Sequence, residues 1–139
     1  MELHTAIEWA TARRGGVLIT LRKDGRPQSS DISYHCADGV FSISVTESRA
    51  KTANMRRDPR VVLHLTDPDS WSYLSFDGTV ELTTAAAATD DATADALVVY
   101  YEAVAGEPHP DWAEYRQAMV DEGRLLVHFT PNSVVGQLH

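Results

Sequence analysis

Three Asp-Gly pairs, Asp24-Gly25, Asp38-Gly39 and Asp77-Gly78, punctuate runs in which apolar residues alternate with polar ones. An Asp-Gly pair tolerates the positive φ angles that tight hairpin turns require. Alternation with period two turns one face of a strand to a core and the other to solvent. Together these features restrict the chain to antiparallel sheet with short connections. In GVLITLRKDGRPQSSDISYH, Val17, Ile19 and Leu21 alternate with Leu18, Thr20 and Arg22. After the turn, Gln28, Ser30, Ile32 and Tyr34 share one face, and Ser29, Asp31, Ser33 and His35 the other. Asp38-Gly39 leads into VFSISV, where Phe41, Ile43 and Val45 alternate with serines. RVVLHLTD and WSYLSFDGTVELT predict further strands. In the second, Trp71, Tyr73 and Ser75 oppose Ser72, Leu74 and Phe76, and Asp77-Gly78 marks a turn or a bulge.

Outside residues 47–60, three segments break this period. Residues 4–13 predict a short helix with Ala6, Ile7 and Ala10 facing inward. Residues 89–105 predict a second, with Leu97, Val98, Tyr101 and Val104 on one side and Asp90 and Asp91 at its start. GEPHP ends it, and DWAEYRQAMVDEG predicts a third with a Trp112, Tyr115, Met119 stripe. RLLVHF is the final strand, and Pro131 leads into a tail, NSVVGQLH. Six or seven strands with inserted helices describe a small barrel-like antiparallel sheet. The 139 residues suffice for a single domain spanning 1–139, with no linker or internal repeat.

Charge and composition exclude several functions. A net charge of -8 and a pI near 5.1 argue against a nucleic-acid partner. MELHTAIEWATARRGG is too polar for a signal peptide, and no apolar run reaches membrane-spanning length, so the expected location is the cytoplasm. Cys36 is the only cysteine, which rules out an intrachain disulfide and fits a reducing compartment. The six histidines are scattered, and His64 and His128 read as satisfied sheet residues rather than metal ligands. No phosphate-binding loop, nucleophile elbow or zinc-protease motif occurs. This points to a protein whose chemistry is carried by a bound cofactor.

The segment ESRAKTANMRRDPR gathers Arg49, Lys51, Arg56, Arg57 and Arg60 in an acidic chain. It reads as a helix capped by Ser48 and stopped at Pro59. Arg56 and Arg57 suit the negative end of the helix dipole. Arg49 and Lys51 oppose the positive end, at about 0.3–1 kcal/mol each. A bound anion would reverse that cost, with backbone N–H groups, a serine hydroxyl, Thr52 and two cations making a phosphate site; the alternative is a solvated cationic face paired to acidic surface elsewhere.

The order GVLITLRKDGRPQSSDISY, RAKTANMRRDPRVVL, WSYLSFDGTVEL, YRQAMV resembles the flavin/deazaflavin oxidoreductases of the pyridoxamine 5′-phosphate oxidase-like superfamily. Within it, the sequence is most similar to the small actinobacterial F420-dependent reductases called group B. The resemblance runs from about residue 15 to residue 136, and the R-A-K-T-x-N-x-R-R-D-P segment is its most specific part.

The resemblance implies a mainly β fold with inserted helices: a split β-barrel of the FMN-binding type. It implies a homodimer with cofactor sites at the subunit interface. It assigns Arg49 and Lys51 to the cofactor phosphate, with Thr52 and Asn54 beside them. Gln28, Ser30, Asp31 and Ile32 would line the ring, and Trp71, Ser72 and Tyr73 would flank the cofactor. Asp31 stands where relatives tend to carry asparagine, and Trp71 and Tyr73 equally fit a core or dimer contact. The implied activity is hydride transfer from reduced coenzyme F420 to a conjugated small molecule such as an enone, quinone or tetrapyrrole. The proton would come from water, Tyr34 or Tyr73. Alternatives within the fold are an FMN-binding oxidoreductase and a non-enzymatic carrier of F420 or haem.

Overall fold

The computed structural model describes residues 1–139. The elements are α1 (Leu3–Thr11), β1 (Gly15–Leu21), β2 (Pro27–Ser33), β3 (His35–Ala37), β4 (Val40–Thr46), α2 (Ala50–Arg57), β5 (Arg60–Asp67), β6 (Ser72–Leu82), α3 (Ala92–Ala105), α4 (Trp112–Glu122) and β7 (Arg124–Gln137). The seven strands form one antiparallel sheet in the order β2-β1-β5-β6-β7-β4-β3. Its two edge strands, β2 and β3, are consecutive in sequence and separated only by Tyr34. A flat sheet cannot place its opposite edges one residue apart, so this one curls into a half-barrel.

Tyr34 fixes the closure. Its side chain is fully buried, its hydroxyl donates to the Ala10 carbonyl at 2.7 Å, and its N–H donates to the Arg14 carbonyl. The ring packs edge-on against Phe41, which also meets Phe76 and Phe129. Leu18, Ile43, Leu63, Leu74 and Leu125 complete the barrel core, with Ala6 and Ala10 of α1 closing one side. On β1 the core takes Leu18 and Thr20, and Ile19 and Leu21 face outward. A second cluster of Leu97, Tyr115, Met119 and Leu126 seats the α3–α4 hairpin on the sheet. No helix is long and apolar enough to cross a membrane.

The turn chemistry works locally. Asp38 and Gly39 both take positive φ, 53° and 77°, as a two-residue hairpin between β3 and β4 requires. Asp77-Gly78 is a bulge, not a turn. Asp77 pairs with Ser133 and Gly78 with Pro131, so Asn132 is the extra residue. That irregularity accommodates a residue with no N–H, so Pro131 does not end β7, which runs on through the expected tail to Gln137.

Candidate cofactor site

The helix expected in the basic segment is α2, but Ser48 does not cap it. The N-cap is Arg49, and no side chain bonds the helix start. A turn closed by the Arg49 N–H on the Thr46 carbonyl precedes the helix and leaves Ser48 exposed. The Thr52 hydroxyl points back and donates to the same Thr46 carbonyl at 2.7 Å. The first backbone bonds are donated by Thr52 and Ala53 to the Arg49 carbonyl. The amides of Ala50 and Lys51 precede these bonds, and uncapped amides at this position favour an anion.

The cations separate into two groups. Arg56 forms a two-bond pair with Glu47, and Arg60 another with Asp58. Arg57 donates to the Leu21 carbonyl and to Asn54. Arg49 and Lys51 have no carboxylate within ion-pair distance. Both line a polar cleft of about 370 Å³ together with Gln28, Ser30, Thr46 and Arg124. Partial burial and the nearby Arg49 and Arg124 guanidinium groups push the Lys51 pKa below its ordinary value. This is a surplus of positive charge, held where an anion would relieve it.

Thr52 and Asn54 lie beneath the cleft and are buried. Thr52 fixes the helix start. The Asn54 side-chain amide donates to Thr20 Oγ1 at 3.1 Å and to Gln28 Oε1 at 3.2 Å. This holds the Gln28 carbonyl inward, and the Gln28 NH₂ has no protein acceptor. Asp31 and Ile32 line an adjoining pocket that shares Lys51 and Arg124 with the cleft.

Trp71, Ser72 and Tyr73 are elsewhere in the chain. Arg124 begins β7, whereas Tyr73 pairs with Gln137 at the other end of that strand. Trp71 is 84% exposed with φ of 60°, and Tyr73 is 39% exposed. Ser72 is buried and accepts from the Ser70 hydroxyl and the His139 N–H. Within one chain these three residues do not meet the cleft. Tyr34 is removed as a proton donor by its position in the barrel core, where burial raises its pKa. Cys36 is buried, and burial raises its thiol pKa.

Arg124 went unseen in the sequence. Its signal is a cation placed between a helix-capping glycine, Gly123, and the apolar run LLV. One Nη atom donates to Glu122 at 3.3 Å, and its Nε is buried with no acceptor. The Arg49 guanidinium, the Lys51 ammonium and the uncapped amides of the helix start are a donor set that fits a phosphate.

Residues 5–137 match the sequence profile of pyridoxamine 5′-phosphate oxidase. The chain belongs to the pyridoxamine 5′-phosphate oxidase family. Solved structures similar to this family member agree on the split-barrel fold. One is an F420 reductase, 25% identical with a TM-score of 0.67, covering 92% of this chain and 94% of that one. Another is a conserved hypothetical protein from Mycobacterium tuberculosis, 23% identical with a TM-score of 0.77, covering 100% and 86%. A third is an FMN-binding protein from Nostoc punctiforme, 15% identical with a TM-score of 0.69, covering 99% and 84%.

Proposed function

We propose that the chain is an oxidoreductase that binds coenzyme F420 in this cleft and reduces a flat, conjugated small molecule such as an enone, quinone or tetrapyrrole. The observation that carries the reading is the pair of cations, Arg49 and Lys51, without carboxylate partners at an uncapped helix start. When bound, reduced F420 would supply a hydride, and water the one proton that the acceptor needs. Arg49, Lys51 and Arg124 hold the phosphate. Gln28, anchored by Asn54, and Ser30 orient the ring along β2, and fixing the two reactants in register supplies much of the rate enhancement. Similarity to an F420 reductase supports the deazaflavin over FMN.

The same reading makes the protein a homodimer. Ile19, Leu21 and Val62 turn outward into a shallow apolar depression of about 500 Å³ on the sheet, a surface suited to a second copy. A second copy would also bring its own Trp71–Tyr73 strand end against a cleft that one chain leaves open. The buried free thiol of Cys36 suits the cytoplasm.

Equilibrium dialysis against F420 and FMN tests the cofactor, and oxidation of reduced F420 with a panel of enones, quinones and tetrapyrroles tests turnover. The expected result is preferential F420 binding and acceptor-dependent oxidation. Tight FMN binding without F420 binding would overturn the cofactor. F420 binding without protein-dependent turnover would make the chain a carrier.

A further inference from the structure

Residues paired directly across neighbouring strands share a face of the sheet. Val17, His64, Ser75 and Val135 therefore form one outward row, from β1 through β5 and β6 to β7. Ile19, Val62 and Asp77 form the row beside it, and Thr66 and Tyr73 the row on its other side. The apolar depression of Ile19, Leu21 and Val62 belongs to this face. In the run β2-β1-β5-β6-β7 the middle strand is β5. His64 thus stands near the centre of the face in both directions.

Five strands about 4.8 Å apart and four outward rows about 6.7 Å apart cover roughly 650 Å² in plan. Side-chain relief brings that area to the order of the ~800 Å² per partner that a stable complex buries. Asp31, opposite Val17, and Asp77 place carboxylates on the face, which disfavours an anionic membrane or a nucleic acid. A second copy docked about a two-fold axis covers the central rows of both chains at once.

In the single chain His64 is half-buried, and its ring packs against Tyr73 with centroids 6.1 Å apart. No carboxylate lies within ion-pair distance of it. Few charges face it. Asp77 of β6 is diagonal to it and accepts from the Ser133 hydroxyl at 3.4 Å. On β5 itself Arg60 is paired with Asp58, and Asp67 with Arg13. The outward residues of β1 are uncharged, and β2 adds only Asp31.

We infer that His64 makes the pairing of two chains through this face depend on protonation: the neutral imidazole is buried between the copies, and proton uptake drives them apart. The inference rests on the homodimer reading above. Histidine titrates in the range where a modest change of pH alters its charge. A neutral ring against Tyr73 tolerates loss of water. An imidazolium there loses its hydration with no carboxylate against it, and two of them meet near the two-fold axis. Association then requires both rings to be neutral. The dissociation constant therefore rises as pH falls, by up to about a hundredfold per pH unit for two sites.

Sedimentation equilibrium of the full chain over a dilution series at pH 8 and pH 5.5, with circular dichroism to follow the fold, tests this. The dissociation constant should be at least about tenfold larger at pH 5.5, with unchanged circular dichroism. His64→Gln, which stays polar and does not titrate, should hold the constant within about twofold over the same range. His64→Phe serves if that variant does not fold. A monomer at pH 8 would overturn the homodimer reading and this inference with it. A dimer equally tight at both pH values would leave the homodimer standing and overturn the inference alone. So would a dimer tightened by acid, the sign that Asp77 answers the charge. Loss of fold in place of dissociation, or a His64→Gln dimer that dissociates in acid as the wild type does, would also overturn it.

Discussion

Replacing Lys51 by alanine should change apo stability and cofactor affinity in opposite directions. Lys51 is the second residue of α2, where the helix end carries roughly half a positive charge. Burial and the neighbouring Arg49 and Arg124 lower its pKa from the ordinary 10.5. The unfolded chain therefore holds this proton more tightly than the folded one. The resulting loss of stability is complete below the folded-state pKa, shrinks as pH rises toward 10.5, and is absent above it. Lys51→Ala removes it. Relief of the dipole contributes about 0.3–1 kcal/mol, and the lost packing of the lysine stem offsets part of that. A net gain of about 0.5 kcal/mol, set against an unfolding entropy of about 2.1 cal/mol/K per residue, raises Tm by roughly 2 °C. Loss of a charge-assisted phosphate contact costs about 1.5–3 kcal/mol of binding, a drop of about tenfold or more. Thermal melts at one protein concentration, repeated from pH 7 to 11, and F420 titrations measure both. A lower apo Tm would mean that Lys51 serves a structural pair. Unchanged F420 affinity would refute the phosphate role.

Asn54→Ala should lower stability by about 1–3 kcal/mol in urea unfolding, because it strands the buried Thr20 hydroxyl and frees Gln28. It should also weaken F420 binding. Gly78→Ala places a Cβ 2.6 Å from the Phe129 ring and 2.8 Å from Pro131 Cα, and closer still to the Thr130 carbonyl oxygen. It should cost about 1–3 kcal/mol, read as a lower urea midpoint at unchanged slope. Val62→Arg puts a charge on the outward apolar face of β5. Sedimentation equilibrium should then show a shift from dimer to monomer, and an unaffected dimer would exclude this face as the interface.

The sequence by itself determined whatever depends on neighbours along the chain. Asp38-Gly39 makes its hairpin because those two residues accept positive φ wherever they stand. Asp91 and Asp111 cap α3 and α4 with their own side chains, and Gly106 and Gly123 end those helices in the left-handed region. The cations of α2 were visible as a cluster at odds with the acidic chain. Contacts between distant residues decided the rest. Both faces of β1 carry aliphatic residues, and it is α2, through Asn54 bonded to Thr20, that packs on the Leu18 and Thr20 face and makes it the inner one. Pro131 looks like a stop until Gly78, far away in sequence, supplies the bulge that receives it. Arg56 is neutralised by Glu47 across the turn that precedes α2, and Arg124 joins the site only because β7 starts beside the end of β4. Local preference is a property of one residue and its immediate neighbours. A groove is a property of strands that meet only when Tyr34 closes the sheet.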